Sequence, residues 1–220
     1  INEINIHPVI SFILTVGWIV GITNAINLID GLDGLSSGIS LISCISLLII
    51  FATNASPLIS VVLITALAGA ISGMIVSAIV GFCIIKLKAD VGAQFLGFCL
   101  ATISILGVAK TVTLVVLIAP ILVLALPIFD TLFAIIRRVV KGKSLKAVFQ
   151  ADKGHLHHRL MKKGYSQRQA VAILYGASAT LGMFAVILID NGIWKALSFA
   201  LIVVAIVAIG YKELVNFKTE

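Results

Sequence analysis

Apolar residues gather into seven stretches along this chain, roughly 9–26, 35–53, 58–85, 91–109, 112–136, 171–189 and 194–211. About 20 apolar residues in helix cross about 30 Å of hydrocarbon, and each stretch is close to or above that length. None alternates apolar and polar with period two, so helices are expected and a barrel is not. The third stretch is long for one crossing. Its Gly69 and Gly73, in G-x-x-x-G spacing, and then Gly81 predict a tilt or bend against a neighbouring helix. Asn54-Ala55-Ser56-Pro57, Lys110-Thr111 and Asp190-Asn191-Gly192 read as short turns on one side. The loops 27–34 and 86–90, the long stretch 137–170 and the C-terminal tail collect on the other. Within 137–170, Ser166-Gln167-Arg168-Gln169 fits a capping box that opens the helix of the sixth span.

Composition removes the other classes. Of 220 residues, 60% are hydrophobic and only 11% charged, with a mean hydropathy of +1.20, against about 25% charged in ordinary soluble domains. A soluble enzyme, a disordered chain and a nucleic-acid-binding domain are excluded, despite a pI near 9.5. In lipid every backbone polar group must be satisfied within the chain. The fold class is therefore all-α: a polytopic helical membrane protein of about seven transmembrane helices, forming one domain over 1–220 without an internal repeat. Cys44, Cys83 and Cys99 lie scattered in apolar surroundings and indicate no redox compartment.

Charge orients the threading. Of the 16 Lys and Arg, all but Lys110 and Lys195 fall on the side of the long stretch 137–170. Short cytoplasmic loops are enriched in these residues, so that side is expected to be cytoplasmic. A basic run can also merely set topology and grip anionic lipid. This one, however, holds three of the four histidines.

Four groups of polar residues lie at or near that face, where they are costly unless they serve a purpose. The first is Asn24-Ala25-Ile26-Asn27-Leu28-Ile29-Asp30-Gly31-Leu32-Asp33-Gly34-Leu35. Two carboxylates three residues apart, each followed by glycine, can place Mg²⁺-bound phosphates, accept protons or bind nucleotide hydroxyls. The plain alternative is a helix–turn–helix with Asp33 as N-cap, and the two Asn upstream favour the functional reading. The second is Asp90, in Ala89-Asp90-Val91-Gly92-Ala93, which is either a helix cap or a Mg²⁺ ligand. The third is Asp130, in Pro127-Ile128-Phe129-Asp130-Thr131, about 10 Å inside the end of the fifth span at 1.5 Å per residue. An unpaired charge there is improbable. It either pairs with a basic side chain in the bundle or faces a wet cavity, and support is favoured over chemistry. The fourth is Asp152-Lys153-Gly154-His155-Leu156-His157-His158-Arg159-Leu160. Its imidazoles and guanidinium suit a pyrophosphate. A zinc site would need a further ligand from elsewhere, and a solvated topological loop is the plain alternative. Together the groups suggest phosphoryl transfer at a membrane surface, between a water-soluble nucleotide and a lipid phosphate.

These residues resemble the polyprenyl-phosphate N-acetylhexosamine-1-phosphate transferases of bacterial membranes. Residues 24–35 match that family's N-A-x-N-x-x-D-G-x-D-G-L motif throughout, His155–Leu160 is similar to its H-x-H-H-R-L segment, and Pro127–Thr131 also fits. The resemblance runs from about residue 12 onward. It implies that an oxygen of undecaprenyl phosphate attacks the β-phosphorus of a UDP-N-acetylhexosamine and releases UMP. It also implies Mg²⁺ as cofactor, with Mn²⁺ as a substitute, and a cytoplasm-facing site in the bacterial inner membrane. Carried over by motif, Asp30, Asp33 and Asp90 would be catalytic, with Asp90 the metal ligand. Asn24, Asn27, His155, His157, His158 and Arg159 would bind substrate. The H-x-H-H-R-L form looks like the branch that uses UDP-N-acetylglucosamine. The partners implied are the nucleotide sugar, the prenyl phosphate and membrane lipid, with no nucleic acid. A homodimer is left open.

Two features depart from the family pattern. No two acidic residues are adjacent, where the family carries a D-D-x-x-D-type element, and Leu87–Ala93 keeps only Asp90 and Gly92 of an F-M-G-D-x-G-S stretch. With Ile1 in place of Met, these lead to the expectation of a chain lacking an N-terminal part. The alternatives are a catalytically impaired relative, or a membrane binding or scaffold protein. A secondary transporter would show paired repeats, which are not visible here.

Overall fold

The computed structural model describes residues 7–54, 56–80, 89–108, 114–142 and 154–189. In chain order these form α1 (Pro8–Ile29), α2 (Leu35–Thr53), α3 (Leu58–Val80), α4 (Ala89–Val108), α5 (Leu114–Val123), α6 (Ala125–Gly142), α7 (Leu156–Lys162) and α8 (Gln167–Ile189). Among the described residues, five helices are long and apolar enough to cross a membrane: α1, α2, α3, α4 and α8. The expected seventh span, 194–211, and the turns at Lys110-Thr111 and Asp190–Gly192 lie outside the described residues, as does Cys83.

The fifth expected stretch, 112–136, is two helices and not one. Pro127 has no N–H to return to the carbonyl of Val123, and its ring crowds that carbonyl. The ladder breaks there, with Leu124 in a turn between α5 and α6. The apolar length was legible and the break was carried by one proline. Helix also intrudes into the expected loops. Residues 27–29 still belong to α1, Ala89 and Asp90 open α4, α6 runs on to Gly142, and α8 begins at Gln167.

Two interfaces position the site. α1 packs against the antiparallel α4 with Gly97 set against the backbone of Thr23 and the carbonyl of Ile22, at a place where no side chain fits. α2 and α8 run parallel, keyed by Tyr175 over Gly38 at one end and Ser46 against Gly182 further along. Trp18 donates its indole N–H to Ser104 Oγ at 3.0 Å, adding a polar tie between α1 and α4. The main core holds Ile22, Ile26, Leu47, Phe51, Leu100 and Leu124. A smaller cluster of Ile29, Leu35, Ile39, Leu126 and Leu174 lies at the end where α1 turns into α2. Leu156 and Leu160, one turn apart on α7, pack onto that second cluster and hold the short helix there.

The expected neighbour for Gly69 and Gly73 is not among the described residues, since a Cβ at either position would meet nothing. Much of the outer surface is apolar, with Phe12, Leu58, Phe95 and Phe133 all well exposed. A hydrocarbon solvent tolerates such a surface and water does not.

Candidate functional site

α1 ends at Asp30, whose backbone N–H reaches back to Asn27 O. The chain then turns through Gly31–Gly34 into α2. Gly34 has φ +79°, a left-handed conformation that favours glycine. Gly34, and not Asp33, is the N-cap of α2, and it makes no side-chain cap bond. Asp33 is therefore not the structural cap of the plain alternative. It is exposed, and its Oδ2 accepts a hydrogen bond from Gln167 Nε2 of α8 at 3.2 Å. Asp30 is half-buried, with Oδ1 accepting from Ser36 Oγ at 2.6 Å.

The loop is held from the α8 side. Tyr175 donates its hydroxyl to Gly34 O at 2.6 Å. Its ring occupies the space where a side chain at Gly38 would stand. The predicted capping box forms in full: Ser166 Oγ accepts from the Gln169 N–H at 3.3 Å, and Gln169 Oε1 accepts from the Ser166 N–H at 2.9 Å. A groove of about 740 Å³ opens beside it, lined by Asp33, Ser166, Gln167, Arg168, Val171, Ala172 and Tyr175.

The histidine segment lies against the same loop. His155 is the N-cap residue of α7, and its ring is parallel to that of His157, with centroids 6.1 Å apart. His157 is only 2% exposed, and its ring fills the space beside Gly31 that a Cβ there would need. Burial, and then the neighbouring His158 ring, push the His157 pKa down to about 4. It is thus a neutral imidazole at neutral pH. Neither of its nitrogens has a hydrogen-bond partner among the described residues, which is costly for a buried ring. His158 lies 4.2 Å from it between ring centroids and is half-buried, whereas Arg159 is exposed. Positive charge available to an anion at this end therefore includes Arg159, while His157 supplies shape.

Asp130 resolves into one of its two expected situations. It is 3% exposed and pairs inside the bundle with the 5% exposed His155, Oδ2 to Nδ1 at 2.9 Å. Its Oδ1 accepts from the backbone N–H of Leu156 at 2.8 Å.

Asn27 lies one turn inside α1 with its Oδ1 buried and unpartnered among the described residues, while Asn24 is exposed on the same helix. Asp90 falls in the first turn of α4, and its side chain lies outside the described residues. Gly97 meets Thr23, and Asp90 and Asp30 each lie seven residues from that crossing, towards the same end of the antiparallel pair. Both steps are about 10 Å of helix. Asp152 and Lys153 lie outside the described residues. Among the described residues no three His, Cys, Asp or Glu side chains form a metal cage. Mg²⁺ asks for less, since one or two carboxylates suffice when substrate phosphates and water supply the remaining ligands. The acidic loop fits that requirement.

Tyr175, Ser36 and Gln167 were not singled out by the sequence pattern. Only the capping box marked the neighbourhood of Gln167; a tyrosine in a span and a serine after a turn carry no signal of their own.

Residues 1–108 match the glycosyl transferase family 4. A probable undecaprenyl-phosphate N-acetylglucosaminyl 1-phosphate transferase of Bacillus subtilis is 37% identical over 200 residues, covering 88% of this chain and 52% of that protein. A decaprenyl-phosphate N-acetylglucosaminephosphotransferase of Mycolicibacterium smegmatis is 42% identical over 88 residues, 39% of this chain and 21% of that one. An undecaprenyl-phosphate alpha-N-acetylglucosaminyl 1-phosphate transferase of Yersinia pestis is 30% identical over 98 residues, 44% of this chain and 26% of that one. The chain thus spans about half the length of the Bacillus relative and less of the others.

Proposed function

We propose, since residues 1–108 match glycosyl transferase family 4, that this chain transfers N-acetylglucosamine 1-phosphate from UDP-N-acetylglucosamine to undecaprenyl phosphate. An acceptor phosphate oxygen forms a bond to the β-phosphorus of the nucleotide sugar. The bond from that phosphorus to the UMP oxygen breaks, and UMP leaves with the electron pair. The product is a lipid-linked sugar pyrophosphate of the kind that starts a surface polymer.

The observation that carries this reading is the meeting of two distant segments. The His157 ring seats on Gly31, between Asp30 and Asp33, so the acidic loop and the histidine segment form one polar surface at the end of an apolar bundle. A reaction of this type needs mainly positioning and charge stabilisation. Asn24, Asn27, Asp30 and Asp33 suit the nucleotide-sugar side, while His155, His158 and Arg159 suit the diphosphate. Mg²⁺, with Mn²⁺ as a substitute, would be held by Asp90 together with the acidic loop. When bound it would neutralise phosphate charge. The excess of Lys and Arg on the loops at this end supports a cytoplasmic orientation in the bacterial membrane.

The test is radiolabelled UDP-N-acetylglucosamine with undecaprenyl phosphate and the full-length protein in detergent, with and without Mg²⁺. Metal-dependent release of UMP with a labelled lipid pyrophosphate is expected. Hydrolysis without lipid product, or no turnover with either metal, would overturn the reading.

A further inference from the structure

We propose that Asp130 is the positioning residue of this site, holding His155 as the tautomer protonated on Nδ1 and fixing α7 onto α6. The proposal rests on the transferase reading above. Its evidence is separate, because it concerns a buried contact between a membrane helix and a surface helix.

Both oxygens of Asp130 are used. Oδ1 takes the Leu156 N–H, one of the four donors at a helix start that have no partner within the helix, and His155 makes no side-chain cap bond itself. Oδ2 lies 2.9 Å from His155 Nδ1. A carboxylate only accepts, so the imidazole proton of that bond resides on Nδ1. The other nitrogen, Nε2, is then left as the acceptor of the ring. Both partners are almost fully buried, so water does not compete for the bond and the ring cannot turn over freely.

A second contact shows that the attachment is to α6 as a body. Arg137, seven residues after Asp130 and so on the same face of the helix, lays its guanidinium against Gly154, where a Cβ would strike it. The segment Gly154–Leu156 is thus gripped at two points two turns apart. Any movement of α6 relative to α1 would carry His155 with it and change its distance from the acidic loop.

Two variants separate positioning from folding. Asp130→Asn keeps an oxygen for the Leu156 N–H but offers His155 an N–H, which forces the ring proton to Nε2. His155→Asn keeps an N–H for Asp130 and removes Nε2. The protein is labelled with ¹⁵N-histidine and read by imidazole nitrogen shifts, with His155 assigned by its loss in His155→Asn. Wild type is expected to show the Nδ1–H form and Asp130→Asn the Nε2–H form, with hydrogen-exchange protection at Leu156 retained in both. In the transfer assay each variant is expected to lose about 10²-fold in kcat with KM for the nucleotide sugar nearly unchanged. A wild-type ring carrying its proton on Nε2 alone would overturn the proposal, as would an unchanged ring in Asp130→Asn or full kcat in a flipped one. Absence of UMP release from every form, wild type included, would sink the transferase reading instead, while the ring shifts still decide the Asp130–His155 pairing.

Discussion

Tyr175 of α8 donates its hydroxyl to the carbonyl of Gly34, 141 residues earlier in the chain, at 2.6 Å. The bond reaches the one glycine of the acidic loop that has a left-handed backbone, and so joins the start of α8 to the start of α2.

Tyr175→Phe removes this bond from a carbonyl that still accepts from the Gly38 N–H and Ser37 Oγ, so a loss of about 0.5–1.5 kcal/mol is expected. Gly38→Ala should cost more, because its Cβ enters the Tyr175 ring and the ring must leave its place. Thermal unfolding in detergent of both variants checks the order. Equal stability of Gly38→Ala and wild type would contradict the close approach.

Gly31→Ala should displace the His157 ring, since three of its atoms occupy the position of the new Cβ. Transfer activity is expected to fall by about tenfold or more, corresponding to about 1.4 kcal/mol. His157→Ala empties that space, so the double variant should be less impaired than the sum of the two single losses. Strict additivity of the two effects would show that the residues do not meet.

The neutral His157 ring gives α7 a dependence on acid. Its folded pKa, near 4, lies below the ordinary value of 6.5. In that interval the unfolded chain therefore binds a proton that the folded one refuses. The ring's contribution to stability is complete above about pH 6.5 and is lost as pH falls towards 4. Amide exchange across residues 156–162, corrected for intrinsic rate, should show protection declining over this window. His157→Gln should flatten the part of the slope that belongs to this residue, and an identical slope in the variant would contradict the assignment.

Glycines of the bundle should divide by what stands opposite them. Gly97→Ala sets a Cβ against the backbone of Thr23 and the Ile22 carbonyl, which cannot step aside. A destabilisation of about 1–3 kcal/mol is expected. Gly69→Ala and Gly73→Ala meet nothing and should leave the unfolding temperature of the isolated chain unchanged. A large loss at Gly69 or Gly73 would point to packing against an element that the described residues do not include.

Local signals were legible because each is a property of a few neighbouring residues. The apolar runs gave α1, α2, α4 and α8 nearly at their observed limits, and Ser166–Gln169 predicted a reciprocal cap that forms. A motif such as Asp30-Gly31-Leu32-Asp33-Gly34 is visible for the same reason, since its chemistry and its turn lie in one short stretch. Pro127 was visible too, but a break in an apolar run changes neither composition nor length, so the division into α5 and α6 did not stand out.

The amino-acid sequence alone determined a helical membrane protein, the side on which its polar residues gather, and the two segments most suited to phosphate chemistry. Each follows from solvation free energy per residue, which depends on residue type and on spacing along the chain. Tertiary structure alone decided that Asp130 holds His155, that His157 seats on Gly31, and that Tyr175 reaches Gly34. Those contacts are set by where packed helices bring distant backbones together. Steric exclusion and the pairing of buried polar atoms act over a few ångströms in space, and separation along the chain does not encode them.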